Sequence, residues 1–566
     1  MRVRGLAASL VLLLTASLAA CAPALPETVV PGTTVVVGWP GEFTSANAAA
    51  APTAGNAAIA ETTRGEFGDV VDGDFVADES FGLVTIVKDD PFTVRYDVAE
   101  PAWSDGIPLD AADLLLGWAA ASGYLVTEDA TAGRDSEADA AAPVPRIDEF
   151  ARAIEVRFGQ PIMGWQRAVE AAVPAHVVGR RAFGADDAME AKQLVIRAIQ
   201  DGDRAALEAI AAVWNDGFDV SAGDDIDAEL LLSSGPFLVE SVAGEEKGGA
   251  VTLVPNPAYR GPQTPKVSRV ELVPPGEQPV ADLADRLDVA VLPLTTADRG
   301  PIRELERQDY AVNTSHDGSA WNLQLNASGI FGAQPARAAF IRAASAADMV
   351  ARGSGLWGQA YTGTASMLSA PGTRAYEIVI EDSGFTVALG TPADDPDAER
   401  ERAGVSRGSA VCVLYDRASE FAVGAFWSLR DAAAEAGWNV VDCGSDDVES
   451  ALAQRGWDAV IARTPVPQTA EQIAAQWGSA GAASLTGLPD PERDDLIAQY
   501  AQSVDVYEAR EVLAQIESTI VRAAVALPLA LSPLVTVSGR GVSGVTTPDG
   551  AGAGVIADAV QWEAVP

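Results

Sequence analysis

Apolar and polar residues alternate with two periods along this chain, and the places where the period changes mark its elements. Thr33 to Gly38 (Thr-Thr-Val-Val-Val-Gly) is a short unbroken apolar run, as expected of a buried strand. The alanine-rich stretch Ala57–Phe67 predicts a helix, and Asp72-Gly73 between apolar runs predicts a hairpin turn. Asp90 to Asp97 alternates with period two, like a half-buried strand. In Trp103–Asp113, Asp105-Gly106 turns the chain and Asp110 is placed to cap a helix, with Asp113 three residues on as in a capping box. Leu114, Leu115 and Trp118 then share one helical face. Asp186–Trp214 is helical and charged, whereas Glu128–Ala142 and Thr391–Arg407 read as exposed charged stretches.

The clearest pattern lies between Val411 and Ile461. Val411–Tyr415 is a buried strand; Ala422, Phe426, Leu429, Ala433 and Ala436 recur at helical spacing, and Gly437 stops the helix. A strand at Asn439–Val441, a short helix to Arg455 and a strand at Asp458–Ile461 complete a βαβαβ unit, hence a parallel sheet covered by helices. Cys412 and Cys443 sit at its first two strands, as a disulfide or as two separate buried thiols. Val506, Ala509, Leu513, Ile516 and Ile520 mark a long amphipathic helix. The apolar run after Arg522 is broken by Pro528 and Pro533, so a returning strand is expected there, not a membrane span. No internal repeat is present.

The first twenty residues follow different rules. Arg2 and Arg4 precede an apolar run, Leu6–Ala20, shorter than the roughly 20 residues that span a bilayer. Leu18-Ala19-Ala20-Cys21 resembles the bacterial lipobox, which implies cleavage before Cys21, a diacylglyceryl group on its thiol, and a soluble body held at the outer face of a membrane. Each buried CH₂ adds about 0.8 kcal/mol, so two or three acyl chains anchor stably. Residues 22–31 form a Pro-rich tether.

Charge and composition narrow the function. A formal net charge of −42 makes the surface repel nucleic acid and anionic headgroups, leaving anchoring to the lipid. Length argues for two or three domains, because the chain of 566 residues exceeds what one core supports. His176 and His316 lie apart, with no metal-ligand spacing, and Asp69, Asp72 and Asp74 do not fit a calcium loop. There is no G-x-S-x-G elbow and no Walker or dinucleotide glycine loop. No catalytic residue, cofactor or metal site is therefore assigned.

Trp103-Ser104-Asp105-Gly106-Ile107-Pro108 through Asp113 resembles the W-S-D-G-x-P-x-x-A-x-D signature of family 5 extracellular solute-binding proteins, the oligopeptide and dipeptide receptors of ABC importers. Val173-Pro174-Ala175-His176, Ser234–Phe237, Asn256–Tyr259, Asn322–Asn326, Pro335–Phe340 and Ala526–Leu531 resemble further elements of that family, in its order. The resemblance implies an α/β, two-lobed periplasmic-binding-protein-like fold of type II with an extra domain, mixed sheets covered by helices, and a ligand cleft between the lobes. Residues 1–20 would be the signal and 21–31 the anchor and tether. Residues 32–70, 230–292 and 524–566 would form the first lobe, 71–229 its accessory subdomain, and 293–523 the second lobe.

The resemblance also places a solute against Trp39, Phe43, Ser45 and Asn47 after the first strand, Trp321, Asn322, Gln324 and Asn326 on the central strand, and Arg463 and Thr464 after the βαβαβ unit. Peptide receptors of the family commonly carry an aspartate in that last loop for the peptide's ammonium. Here the loop reads Ala462-Arg463-Thr464-Pro465-Val466-Pro467-Gln468, and Arg463 would suit an anion. The expected molecule is a lipid-anchored monomeric receptor, facing outward, that passes a peptide or other small solute to an ABC permease with separate ATPase subunits. The alternative is a non-transport lipoprotein on the same fold, acting in cell-envelope lipoglycan assembly. A hydrolase ranks below both for want of a nucleophile.

Overall fold

A computed structural model describes residues 25–71, 73–125, 143–148, 152–223, 225–244, 249–276, 278–292, 294–546 and 554–565. The expected signal segment, Cys21, Asp72 and the whole of the Glu128–Ala142 stretch lie outside the described residues. The strands are β1 (Val30–Gly38), β2 (Gly68–Val71), β3 (Asp74–Ala77), β4 (Gly82–Asp89), β5 (Phe92–Val98), β6 (Arg146–Asp148), β7 (Ala153–Arg157), β8 (Phe237–Val242), β9 (Val251–Pro255), β10 (Val267–Val273), β11 (Val289–Leu292), β12 (Ala311–Leu325), β13 (Ala410–Tyr415), β14 (Asn439–Asp442), β15 (Ala459–Pro465) and β16 (Ala526–Ser538).

One ten-stranded sheet runs through the molecule in the order β14-β13-β15-β12-β16-β11-β1-β10-β9-β8. It holds two parallel blocks, β14-β13-β15 and β11-β1-β10, joined by the antiparallel strands β12 and β16. The predicted βαβαβ unit is the first block, with the helix Glu420–Glu435 packed on it. Cys412 and Cys443 form a disulfide there, with Cα atoms 5.6 Å apart. The molecule is thus two lobes, each with its own core, around a shared pair of strands. One core gathers β1, β5, β10 and the helices before residue 220; the other gathers β12, β13, β15 and the helices Gln334–Ala343 and Glu420–Glu435.

Both connecting strands change partners at the same level. Residues Ala311–His316 pair with Ser538–Pro533, and Ala320–Gln324 pair with Leu531–Ala526, with the ladder interrupted between His316 and Ala320. Gly318 takes the left-handed conformation there, at φ 75°, which costs glycine nothing and a branched side chain a great deal. Pro533 lies opposite His316 and has no N–H to lose from the ladder. The two lobes are therefore joined by a bulged and kinked pair of strands.

Two expected elements differ in extent. The first helix spans Ala54–Thr63, not 57–67. Arg64 is pulled out of it because its guanidinium donates to the carbonyls of Ala172, Leu232 and Ala46, at 2.6, 2.9 and 2.7 Å. The 186–214 pattern is two helices, Ala188–Asp201 and Arg204–Asp216, divided by left-handed Gly202 and capped again by Asp203. Among the described residues no helix is long and apolar enough to cross a membrane.

The Trp103–Asp113 motif is structural. The capping box forms, and Asp113, fully buried, also accepts from Trp103 Nε1 (3.2 Å) and the Ala175 amide (2.8 Å). Lys192 Nζ, 1% exposed, lies 2.8 Å from Asp113, 3.1 Å from Asp110 and 2.6 Å from the Pro108 carbonyl. Burial alone would lower the lysine's pKa, but the Asp113 and Asp110 carboxylates hold it above its ordinary value. His176 Nε2 sits 2.9 Å from Asp105 Oδ2, tying the second motif to the first. In the other lobe, Glu517 on the helix Val506–Ala523 is 1% exposed and receives the Ser366 hydroxyl (2.9 Å) and the amides of Met367 (3.0 Å) and Leu368 (3.1 Å). Burial pushes its carboxyl up to about 7, against those three donors.

Two stability measurements follow from these clusters. Lys192→Met leaves buried carboxylates without a cation and is expected to cost about 3–5 kcal/mol in urea unfolding, whereas an unchanged midpoint would show the cluster to be unimportant. Glu517 binds its proton more tightly folded than unfolded, so its contribution is full below the ordinary value of 4.5 and is lost as pH rises through about 7. Glu517→Gln is expected to flatten that part of the stability profile, and to lower stability by about 1–3 kcal/mol because its amide nitrogen faces N–H donors. An unaltered pH slope would contradict this.

Candidate functional site

Strands β12 and β15 are antiparallel, with Trp321 opposite Arg463 and Ala320 opposite Thr464. Successive side chains on a strand point to opposite faces, so these positions divide into two sets. Asn322, Gln324 and Thr464 occupy one face and bond to one another. Asn322 Nδ2 donates to Thr464 Oγ1 at 2.8 Å and to the Ala320 carbonyl at 3.0 Å, and Gln324 Nε2 donates to Asn322 Oδ1 at 3.0 Å. Asn322 and Gln324 are buried, so this is an internal polar ladder. Asn326, at the far end of the strand, binds the Trp457 carbonyl and accepts from Ser328.

The opposite face carries Trp321 and Arg463. Trp321 stacks on Phe421 with ring centroids 4.8 Å apart, and Phe421 stacks on Tyr361, also at 4.8 Å. Such offset pairs are worth about 0.5–1.5 kcal/mol beyond the area they bury. Phe421 is set by the first turn of the helix Glu420–Glu435, capped by Ser419. Tyr361 is set by the connecting strand: Leu531 N–H donates to Thr362 O and Thr364 N–H to Leu529 O, at 2.8 and 3.2 Å. Arg463 Nη1 lies 3.4 Å from Asp317 Oδ2, while Asp317 Oδ1 accepts from the Ser319 amide and hydroxyl at 2.9 and 2.5 Å. Burial, with Glu420 and Asp317 outweighing Arg463, pushes the Tyr361 hydroxyl up to about 12, so it stays protonated at neutral pH. A stack, one cation and two carboxylates thus surround one hydroxyl, beside the bulge that joins the lobes.

The first lobe meets this face directly: Ile302 and Leu305 pack with β11 and the Val535–Val537 end of β16, so the stretch after residue 292 starts in the first lobe and not, as the sequence suggests, in the second. Thr296, in the loop after β11, donates its amide and hydroxyl to Glu420 Oε2 at 3.0 and 2.8 Å, and Trp357 Nε1 donates to the Thr295 carbonyl at 2.8 Å. On the far flank Met163 N–H donates to the Ala501 carbonyl at 2.8 Å, and Asp74 meets Arg510 and Arg374.

The loop after β1 is placed differently from the sequence-based expectation. Trp39, Phe43, Ser45 and Asn47 are all buried in the first lobe's interior. Asn56 Oδ1 accepts the Thr44 and Ser45 amides, Ser45 Oγ reaches the Phe218 carbonyl, and Asn47 Nδ2 donates to Trp214 O at 2.8 Å. Arg64 holds the loop from below through the Ala46 carbonyl. The structure thus brings Trp321 and Arg463 together, puts Asn322, Gln324 and Thr464 behind them, and keeps the first loop apart. Asp317, Tyr361, Phe421 and Glu420 escaped the sequence reading. Only Asp317 carried a signal, an Asp-Gly pair inside a strand pattern, which marks a bulge or turn. Among the described residues no group of three His, Cys, Asp or Glu is placed to hold a metal ion.

No family model matches the chain. A protein named as an uncharacterized lipoprotein of Mycobacterium tuberculosis is 26% identical over 484 residues, 82% of this chain and 81% of that protein. Among solved structures, the periplasmic EDTA-binding protein EppA superposes with a TM-score of 0.73 at 17% identity, over 96% of this chain and 98% of its own. The oligopeptide-binding protein AppA of Bacillus subtilis, in complex with a nonapeptide, gives 0.60 at 12% identity, over 94% and 99%. Both are named as binding proteins. This chain thus has the two-lobed fold of these binding proteins.

Proposed function

We propose that the protein is a lipid-anchored extracellular receptor that takes a peptide or peptide-like solute between its lobes and delivers it to an ABC permease whose ATPase subunits are separate chains. It acts as a monomer, without cofactor, and does no chemistry on the solute. The observation that carries this reading is the pair β12 and β16, which among the described residues lie between the two parallel blocks of the sheet, with their ladder interrupted near Gly318 and Pro533. A connection of this kind permits hinge closure, and a solute that contacts both lobes shifts the equilibrium by its extra affinity for the closed form. The lipoprotein name of the mycobacterial relative supports the anchor at Cys21, and the EDTA- and nonapeptide-binding neighbours support a cleft that accepts different solutes.

The test uses the mature protein freed of carried-over solute. Peptide mixtures and metal chelates are screened by thermal shift, and hits are followed by small-angle scattering. A true solute raises Tm and lowers the radius of gyration; 100-fold excess over Kd corresponds to about 2.7 kcal/mol. If no solute does either while a lipoglycan precursor co-purifies, the envelope-assembly reading replaces this one. Glu420→Ala removes the acceptor that Thr296 reaches across the cleft. It is expected to favour the open form by about 1 kcal/mol and weaken solute binding severalfold. Unchanged affinity and an unchanged radius would show that the contact does not contribute to closure.

A further inference from the structure

We infer that a cavity at the far end of the first lobe binds a small hydroxylated amine, an ammonium group with hydroxyls nearby as in an amino alcohol or an amino sugar. The strands give its place. β1, β10 and β11 run parallel, and Thr295 and Thr296, which meet the second lobe, follow the C-terminal end of β11. The cavity lies at the opposite end of these strands, between the turn Ala258–Gly261 that leads into β10, Ser234 ahead of β8, and the segment Ala99–Ala102 after β5. Its volume of about 320 Å³ suits a small molecule, whose sites commonly measure about 300–1,000 Å³. Glycine shapes two of its walls. A Cβ at Gly261 would fall 1.9 Å from the Tyr259 hydroxyl, and one at Gly65 would fall 2.8 Å from the Phe81 ring, so both rings lie over bare backbone.

The lining selects the ligand. Three carboxylates, Asp78, Glu79 and Glu100, line the cavity with one cation, Arg260. None of the four forms an ion pair among the described residues. Arg260 Nη1 is spent on the Pro257 and Tyr259 carbonyls, both at 2.8 Å, whereas Asp78 Oδ1 takes the Ser80 amide and hydroxyl and leaves Oδ2 free. The balance of charge therefore favours a cation. Two neutral hydroxyls narrow the choice. Ser234, 3% exposed, accepts the Gly65 N–H at 3.0 Å and donates its own proton to no acceptor among the described residues. Buried hydroxyls are normally paired, and an oxygen of the ligand fits this one. The Tyr259 hydroxyl also makes no hydrogen bond among the described residues, and burial, with Asp78 and Asp69, pushes it up to about 12, so it is a donor at neutral pH. An ammonium thus meets the carboxylates, and a ligand hydroxyl meets Tyr259 and Ser234. A bare metal cation would offer these two donors nothing, and an anion would lie against the carboxylates.

The test is titration calorimetry of the full mature chain with ethanolamine and glucosamine, beside N-acetylglucosamine, glucose and butylamine. The two hydroxylated amines should bind at one site per chain, and the uncharged sugars about tenfold more weakly or not at all, as expected for loss of a charged hydrogen bond. Asp78→Asn with Glu100→Gln should weaken glucosamine about tenfold. Glu381→Gln with Asp495→Asn removes as much charge from exposed positions on the helices Arg374–Asp382 and Pro491–Gln502, and should leave glucosamine binding unchanged. Tyr259→Phe should weaken both hydroxylated amines severalfold and spare butylamine, with Tm within a few degrees of the wild type. Equal loss in the two double variants would reveal mere attraction to an acidic surface and overturns the inference. Equal binding of glucosamine and its N-acetyl form overturns it too, as does failure of every amine to bind. None of these outcomes bears on the receptor reading, which depends on closure of the lobes.

Discussion

Everything in this molecule depends on how β12 and β16 pass from one lobe to the other. A sheet normally resists bending because each ladder hydrogen bond fixes its neighbour. Here the ladder is interrupted between His316 and Ala320, with a left-handed glycine on one strand and a proline on the other. Two such devices at one level leave a line of missing ladder hydrogen bonds across an otherwise continuous sheet. The parallel blocks on either side have their own helices and cores, and bending at the line leaves them intact. The polar clusters around Lys192 and Glu517 each lie within a single lobe.

The residues of the candidate site stand beside this line. Asp317 belongs to the bulge itself, Arg463 to the neighbouring strand, and Tyr361 to a loop paired with β16 at Leu529–Leu531. Glu420 faces the site and also receives Thr296 from the other lobe. The candidate site and the interrupted ladder are therefore linked through backbone and a few hydrogen bonds, over a short path. Glu517 acts one step behind, since it fixes Ser366–Leu368 at the end of the loop that carries Tyr361.

Much of the fold was legible in the sequence because its signals are local. The βαβαβ unit, the Asp110 capping box and the proline-broken return strand all follow from short-range periodicity or turn chemistry. The helix boundary at Arg64 was not legible, because three distant carbonyls set it. The break at Gly202 was weakly marked, since one glycine inside a helical pattern is often tolerated. For the site, Trp321 and Arg463 could be read from motif position, yet period-two alternation alone separates them from Asn322, Gln324 and Thr464. Tyr361 and Phe421 have no sequence mark. They join Trp321 only because a helix start and a loop, far apart in the chain, pack on the same strand face.

The central claim is a hinge that closes on a solute, and the distance between the lobes tests it most directly. Spin labels at Arg303→Cys, on the helix Arg299–Arg307 that follows β11, and at Arg430→Cys, on the helix Glu420–Glu435, would lie on opposite sides of the hinge line. Pulsed electron resonance should then show a broad or two-peaked distance distribution without solute, collapsing to the shorter distance when a stabilising solute is added. A single distance, unmoved by any solute that raises Tm, would contradict the account.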